Sequence, residues 1–134
     1  MKSFVLAALL SALPVLPAVA QQWALDGYDP VGYLQDGRAI PGRGEIATTW
    51  QGRVWHFATE QNRALFEADP RAFAPAFDGL CPVTLSEGRK EKGNPQIFSV
   101  SGGRLYLMRS EAALGQFHQD PEGTIAKAQG NWGK

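Results

Sequence analysis

A chain of 134 residues with 13 Lys and Arg, 13 Asp and Glu and a single Cys is too short for two ordinary domains. Its balanced charge gives no electrostatic drive toward nucleic acid or anionic lipid. One cysteine cannot close an internal disulfide, so burial of aromatic and aliphatic side chains has to hold the fold together.

The first segment reads as an export signal. Lys2 supplies a positive start, Phe4 to Leu16 an apolar run, and Pro17-Ala18-Val19-Ala20 an Ala-x-Ala site before Gln21. Residues 1–20 are therefore expected to be a signal peptide and 21–134 an exported domain, periplasmic or extracellular. The alternative is a retained anchor, but the run is broken by Pro14 and falls short of the roughly 20 residues that a bilayer span needs.

Beyond the leader, Asp29 is placed to cap a helix that starts at Pro30, where a missing N–H costs nothing, and that stops at Asp36-Gly37. Glu45 to Phe57 alternates apolar and polar residues around Gln51-Gly52 and predicts a hairpin. Thr59 can cap a helix whose Leu65 and Phe66 face inward, and Asp69-Pro70 starts a further turn that brings in Phe73. Both short helices are expected to pack on the hairpin. Phe77 to Pro82 is a turn-rich crossing, and Glu87 to Pro95, rich in charges of both signs, reads as an exposed loop. Ile97 to Val100 and Arg104 to Met108 form a second hairpin through Ser101-Gly102-Gly103. Ser110 caps a helix through Phe117, and Asp120-Pro121 begins another toward Trp132. No internal repeat, low-complexity tract or linker is expected. The fold class is α+β, a small single domain of antiparallel hairpins flanked by short helices.

Three ordered blocks, Asp29-Pro30-Val31, Val54-Trp55-His56-Phe57-Ala58-Thr59 and Phe66-Glu67-Ala68-Asp69-Pro70-Arg71-Ala72-Phe73, resemble the YHS domain. The chain is similar in particular to stand-alone exported YHS-domain proteins, through Gly27-Tyr28-Asp29-Pro30-Val31 and Glu60-Gln61-Asn62-Arg63. The likeness runs on through Gly79-Leu80-Cys81, Gly103-Arg104-Leu105-Tyr106-Leu107 and Ile125 to Trp132, so a YHS-like domain would span 21–134. The resemblance implies a small metal-linked module, because cysteine-bearing YHS domains hold metal through thiolates. At the cysteine positions of those versions, however, this chain has Gly32, Ala58 and Asn62. None of the three is a useful ligand for zinc or Cu(I), so the multi-cysteine site is absent.

Cys81, His56, Met108 and His118 are the remaining soft or imidazole donors beyond the leader. Convergence of two or three would suit copper or another soft metal, with Cys81 as anchor. Each has a plainer role. Cys81 and Met108 can fill a core. His56, between Trp55 and Phe57, is expected on the opposite strand face as a surface or hydrogen-bonded histidine. His118 suits a helix C-terminus. A Cys81 nucleophile with a histidine base and Asp78 as orienting acid has no local spacing to enforce it, so the chain is read as non-enzymatic. The glycines at 37, 42 and 44 lack the ending of a phosphate loop. The alternative to metal is a metal-free interaction module. In that reading Trp23, Tyr28, Tyr33 and Trp132 line an aromatic groove for a small molecule or a protein partner. Neither nucleic acid nor, once the leader is removed, a membrane is an expected partner.

Overall fold

The computed structural model describes residues 2, 3, 5, 7–15 and 21–134. The described residues before Gln21 form no helix or strand, and the expected cleavage site at Ala18 and Ala20 lies outside the described residues. Among the described residues, no helix is long and apolar enough to cross a membrane.

The first half opens with β1 (Gln22–Trp23), a two-residue strand parallel to the later β3, with Gln22 opposite Arg53 and Trp23 opposite Val54. A tight turn at Ala24–Gly27 follows, in which Leu25 (φ 54°), Asp26 (φ 50°) and Gly27 (φ 88°) are all left-handed. Asp29 then caps α1 (Pro30–Gln35), its Oδ1 accepting from the Val31 N–H at 2.8 Å. The hairpin is β2 (Arg43–Trp50) with β3 (Arg53–Phe57), and α2 (Glu60–Ala68) is capped by Thr59, whose Oγ1 accepts from the Asn62 N–H at 3.0 Å. Phe66 is completely buried against Trp55 and Phe57, worth roughly 1.5–3 kcal/mol for a side chain of this size. Leu65, expected inside, is 37% exposed, because adjacent helical residues point about 100° apart and Phe66 takes the inward direction. The short α3 (Pro70–Phe73) ends this half.

The expectation of no internal repeat is overturned, because the second half repeats the first. A left-handed turn at Ala76–Gly79 (Phe77 φ 57°, Asp78 φ 55°, Gly79 φ 82°) leads into α4 (Pro82–Ser86). Then come β4 (Asn94–Ser101), β5 (Arg104–Met108), α5 (Glu111–Gln119) and, after Asp120-Pro121, α6 (Pro121–Asn131). The correspondence extends to single bonds. Gly42 N–H donates to the Gly27 carbonyl and Gly93 N–H to that of Gly79, each at 2.8 Å. Both hairpins shift register at one place, between Arg43 and Ala47 and between Asn94 and Phe98. Thr59 and Ser110 make the same cap, and the Thr48–Glu67 bond at 2.6 Å corresponds to the Ser99–His118 contact at 3.3 Å. Equivalent residues are 52 apart up to the first short helix (Asp29 and Cys81) and 51 apart from the hairpins onward (Phe66 and Phe117).

The halves share a core in which Leu105 and Leu107 of β5 pack with Val31, Tyr33, Trp55, Phe57 and Phe66. Tyr33 is the main tie. Its hydroxyl donates to the Pro95 carbonyl at 2.7 Å and its ring meets Phe98 edge-on at 4.8 Å. Arg53 also reaches across, forming a two-pronged pair with Asp78 at 2.9 and 3.1 Å. A second core joins Phe77, Cys81, Leu85, Tyr106, Met108 and Phe117 to Ala128 of α6. The expected loop at Glu87 to Pro95 is shorter than anticipated. Arg89 pairs with Glu87 and Glu91 at 2.6 Å each, Arg109 pairs with Glu91, and β4 already begins at Asn94 with Pro95 buried.

Candidate functional site: a cleft between the repeats

The four donors singled out in the sequence lie in three places. Cys81 and Met108 are fully buried in the core of the second repeat. His56 sits in the first repeat and His118 lies exposed on α5, its Nε2 3.3 Å from the Ser99 hydroxyl. Among the described residues, no three His, Cys, Asp or Glu side chains are grouped to hold a metal ion. Cys81 and Met108 share that core, and neither histidine belongs to it. Cys81 takes in its repeat the position that Asp29 takes in the first. Asp29 is fully buried, and its Oδ2 accepts from the Ala58 N–H and from Asn62 Nδ2, both at 2.8 Å. Ala58 and Asn62, which offer no thiol, thus serve a carboxylate knot here.

His56 corrects the expectation of a surface or satisfied histidine: it is 4% exposed and its Nδ1 has no hydrogen-bond partner. Alternation does send it to the face away from Trp55, but that face is also covered. Trp23 tilts over the imidazole with ring centroids 4.5 Å apart, and a Cβ at Gly42 would stand 2.6 Å from the His56 carbonyl carbon. Only glycine permits that approach.

The aromatic residues do not form one groove. Tyr33 is in the shared core, where burial pushes its phenol well above the ordinary value. Tyr28 is half-buried and hydrogen-bonds Gln96. Trp23 and Trp132 are 62% and 41% exposed and flank separate depressions. The larger, about 650 Å³, runs between the repeats, with Trp23, Leu25 and Asp26 on one side and Asp78, Leu80 and Leu107 on the other. The smaller, about 400 Å³, includes Trp50, Phe77 and Trp132. Arg53, Trp55, Pro75 and Asp78 belong to both, so the Arg53–Asp78 pair stands at their junction.

Both left-handed turns contribute to the larger cleft. Leu25 and Phe77 hold a conformation that costs a non-glycine residue about 1–2 kcal/mol, offset by burial of the two side chains to 8% exposure each. The rims carry Asp26 and Lys92 as well as the Arg53–Asp78 pair, so cationic and anionic groups balance. Arg53 belongs to no motif in the sequence, and Asp78, a candidate orienting acid for Cys81 there, is instead exposed and bound to Arg53. The signal that could have located the cleft is the recurrence of Ala-Leu-Asp-Gly as Ala-Phe-Asp-Gly, each separated by two residues from a Pro-Val pair.

No family model, curated protein or solved structure matches the chain.

Proposed function

We propose that this chain is an exported, non-enzymatic YHS-type binding protein that takes a small molecule in the cleft between its two repeats. The supporting observation is the concave space of about 650 Å³ walled by both repeats, a volume in the range that small-molecule sites use. Its mixed lining agrees with a ligand that has an apolar body and few polar groups: indole and aliphatic surface from Trp23, Trp55 and Leu107, hydrogen-bonding groups from Asp26, Arg53 and Lys92. The spread of Cys81, Met108, His56 and His118 over three places favours this reading over a multi-donor copper site.

Nuclear magnetic resonance mapping of a set of small aromatic and polar compounds, followed by Cu(I) under reducing conditions, tests it. Binders are expected to shift the Trp23 and Trp55 indole signals and the Gly79 and Gly93 amides. A response confined to Cu(I), at residues packed around Cys81 and Met108, would replace the cleft reading with a buried thiolate–thioether metal site.

A further inference from the structure

The smaller depression differs from the cleft in charge. Three guanidiniums line it, Arg53, Arg71 and Arg104, against the single carboxylate of Asp78, in a chain with equal numbers of basic and acidic residues. The Arg53–Asp78 pair accounts for one of the three. Among the described residues, neither Arg71 nor Arg104 is paired with an acid.

The internal repeat explains why Arg104 is left over. Arg53 and Arg104 are equivalent, 51 residues apart, and each opens the second strand of its hairpin just after a glycine turn. The acid equivalent to Asp78 is Asp26, 52 residues earlier, and it lines the larger cleft and not this depression. Both repeats therefore bring an arginine to the same place, and only one of the two finds an acid there.

Aromatic surface accompanies the unpaired guanidiniums. Arg71 lies over the Trp50 ring, 5.9 Å from its centroid, an arrangement that uses the face of the guanidinium and leaves its N–H edge for an oxygen acceptor. From the second repeat, Phe77 and Trp132 meet edge-on at 5.8 Å, and the Trp132 indole remains partly in solvent. We propose that this depression is a second ligand site, separate from the cleft, that takes a flat aromatic oxyanion: its carboxylate or phosphate is held by Arg71 and Arg104, and its ring packs on Trp132. Guanidinium forks match both acid groups, an indole face suits a flat ring, and a space of about 400 Å³ is ample for such a molecule. Occupation of the cleft is not required.

Benzoate, phenyl phosphate, benzamide and acetate, titrated against the full chain by nuclear magnetic resonance, test this. The two aromatic anions are expected to shift the Trp50 and Trp132 indole signals and not that of Trp23, and to bind at least about threefold more tightly than uncharged benzamide. The tighter of the two identifies carboxylate or phosphate as the preferred group. Acetate, which has no ring, should bind more weakly than benzoate, and added salt should shrink the advantage over benzamide. Arg71→Gln and Arg104→Gln should each weaken both aromatic anions by about threefold. Lys127→Gln, which removes a charge that does not line the depression, should leave them unchanged. Benzamide binding as tightly as the anions, or anion binding undiminished in both arginine variants, would overturn the role of the guanidiniums. Acetate binding as tightly as benzoate would overturn the aromatic class. Shifts at Trp23 in place of Trp50 and Trp132 would return the ligand to the cleft and overturn the second site. No shift with any of the four would overturn the second site and leave the cleft to its own experiment.

Discussion

The first repeat places buried polar groups where the second places apolar ones. Asp29, Tyr33 and His56 stand where Cys81, Leu85 and Leu107 stand, and all six are buried. One backbone therefore tolerates either a hydrogen-bonded carboxylate or a thiol at the start of its first helix, provided the neighbours change too. Asp29 has Asn62 as a donor, whereas the residue equivalent to Asn62 is Ala113, which has no side-chain donor. The turns, glycine contacts and caps that both repeats keep are those that backbone geometry demands. The positions that differ set the chemistry of each half.

The largest asymmetry is expected at this pair. Asp29→Ala removes the acceptor of three bonds at once and leaves the Ala58 N–H and Asn62 amide without their partner, so a loss of about 3 kcal/mol is expected in urea unfolding. Cys81→Ala, which removes one sulfur from an apolar core, should cost only about 1 kcal/mol. Equal losses would show that Asp29 and Cys81 contribute alike.

Where the repeats agree, the substitutions should agree as well. Gly42→Ala and Gly93→Ala each drive a Cβ to within 2.6 and 2.4 Å of the opposing strand, and each is expected to cost about 1–3 kcal/mol by thermal melting. Thr59→Ala and Ser110→Ala should each cost about 1 kcal/mol, because each removes one N-cap.

A smaller asymmetry is set by pH. The Tyr33 phenol is raised above its ordinary value by burial first and by nearby Tyr28, Asp26 and Asp29 second. In the unfolded chain it ionises near its usual value of about 10. Its contribution to stability is therefore complete below about pH 10 and is lost as pH rises beyond that value, toward the raised folded-state value. Denaturation midpoints should fall above about pH 10 in wild type and less steeply in Tyr33→Phe, which forfeits the Pro95 bond, about 1 kcal/mol, at all lower pH values. Leu85 gives the second repeat no such dependence.

Features that depend on neighbours along the chain are legible in the sequence itself. Asp29, Thr59, Ser110 and Asp120 act as caps because each lies two or three residues from the N–H it receives, and both hairpins turn at their glycine-bearing dipeptides. The repeat is hidden there because its halves share punctuation, Asp-Gly, Pro-Val and Asp-Pro, but differ at most positions on their faces. The burial of His56 depends on Gly42 and on the two-residue strand carrying Trp23, and no periodicity in Val54 to Phe57 reports either. The cleft hangs on Arg53 meeting Asp78, 25 residues away, which spacing alone does not announce.

Ligand binding between the repeats and ligand binding at the buried thiol are separable by one pair of variants. Leu80→Trp, which places an indole in the cleft, and Cys81→Ser, which removes the thiol, separate the two when titrated side by side with any compound or metal ion that wild type binds. With a ligand in the cleft, binding is lost in Leu80→Trp and retained in Cys81→Ser, with both variants folded by circular dichroism. Binding retained in Leu80→Trp and lost in Cys81→Ser would contradict that placement.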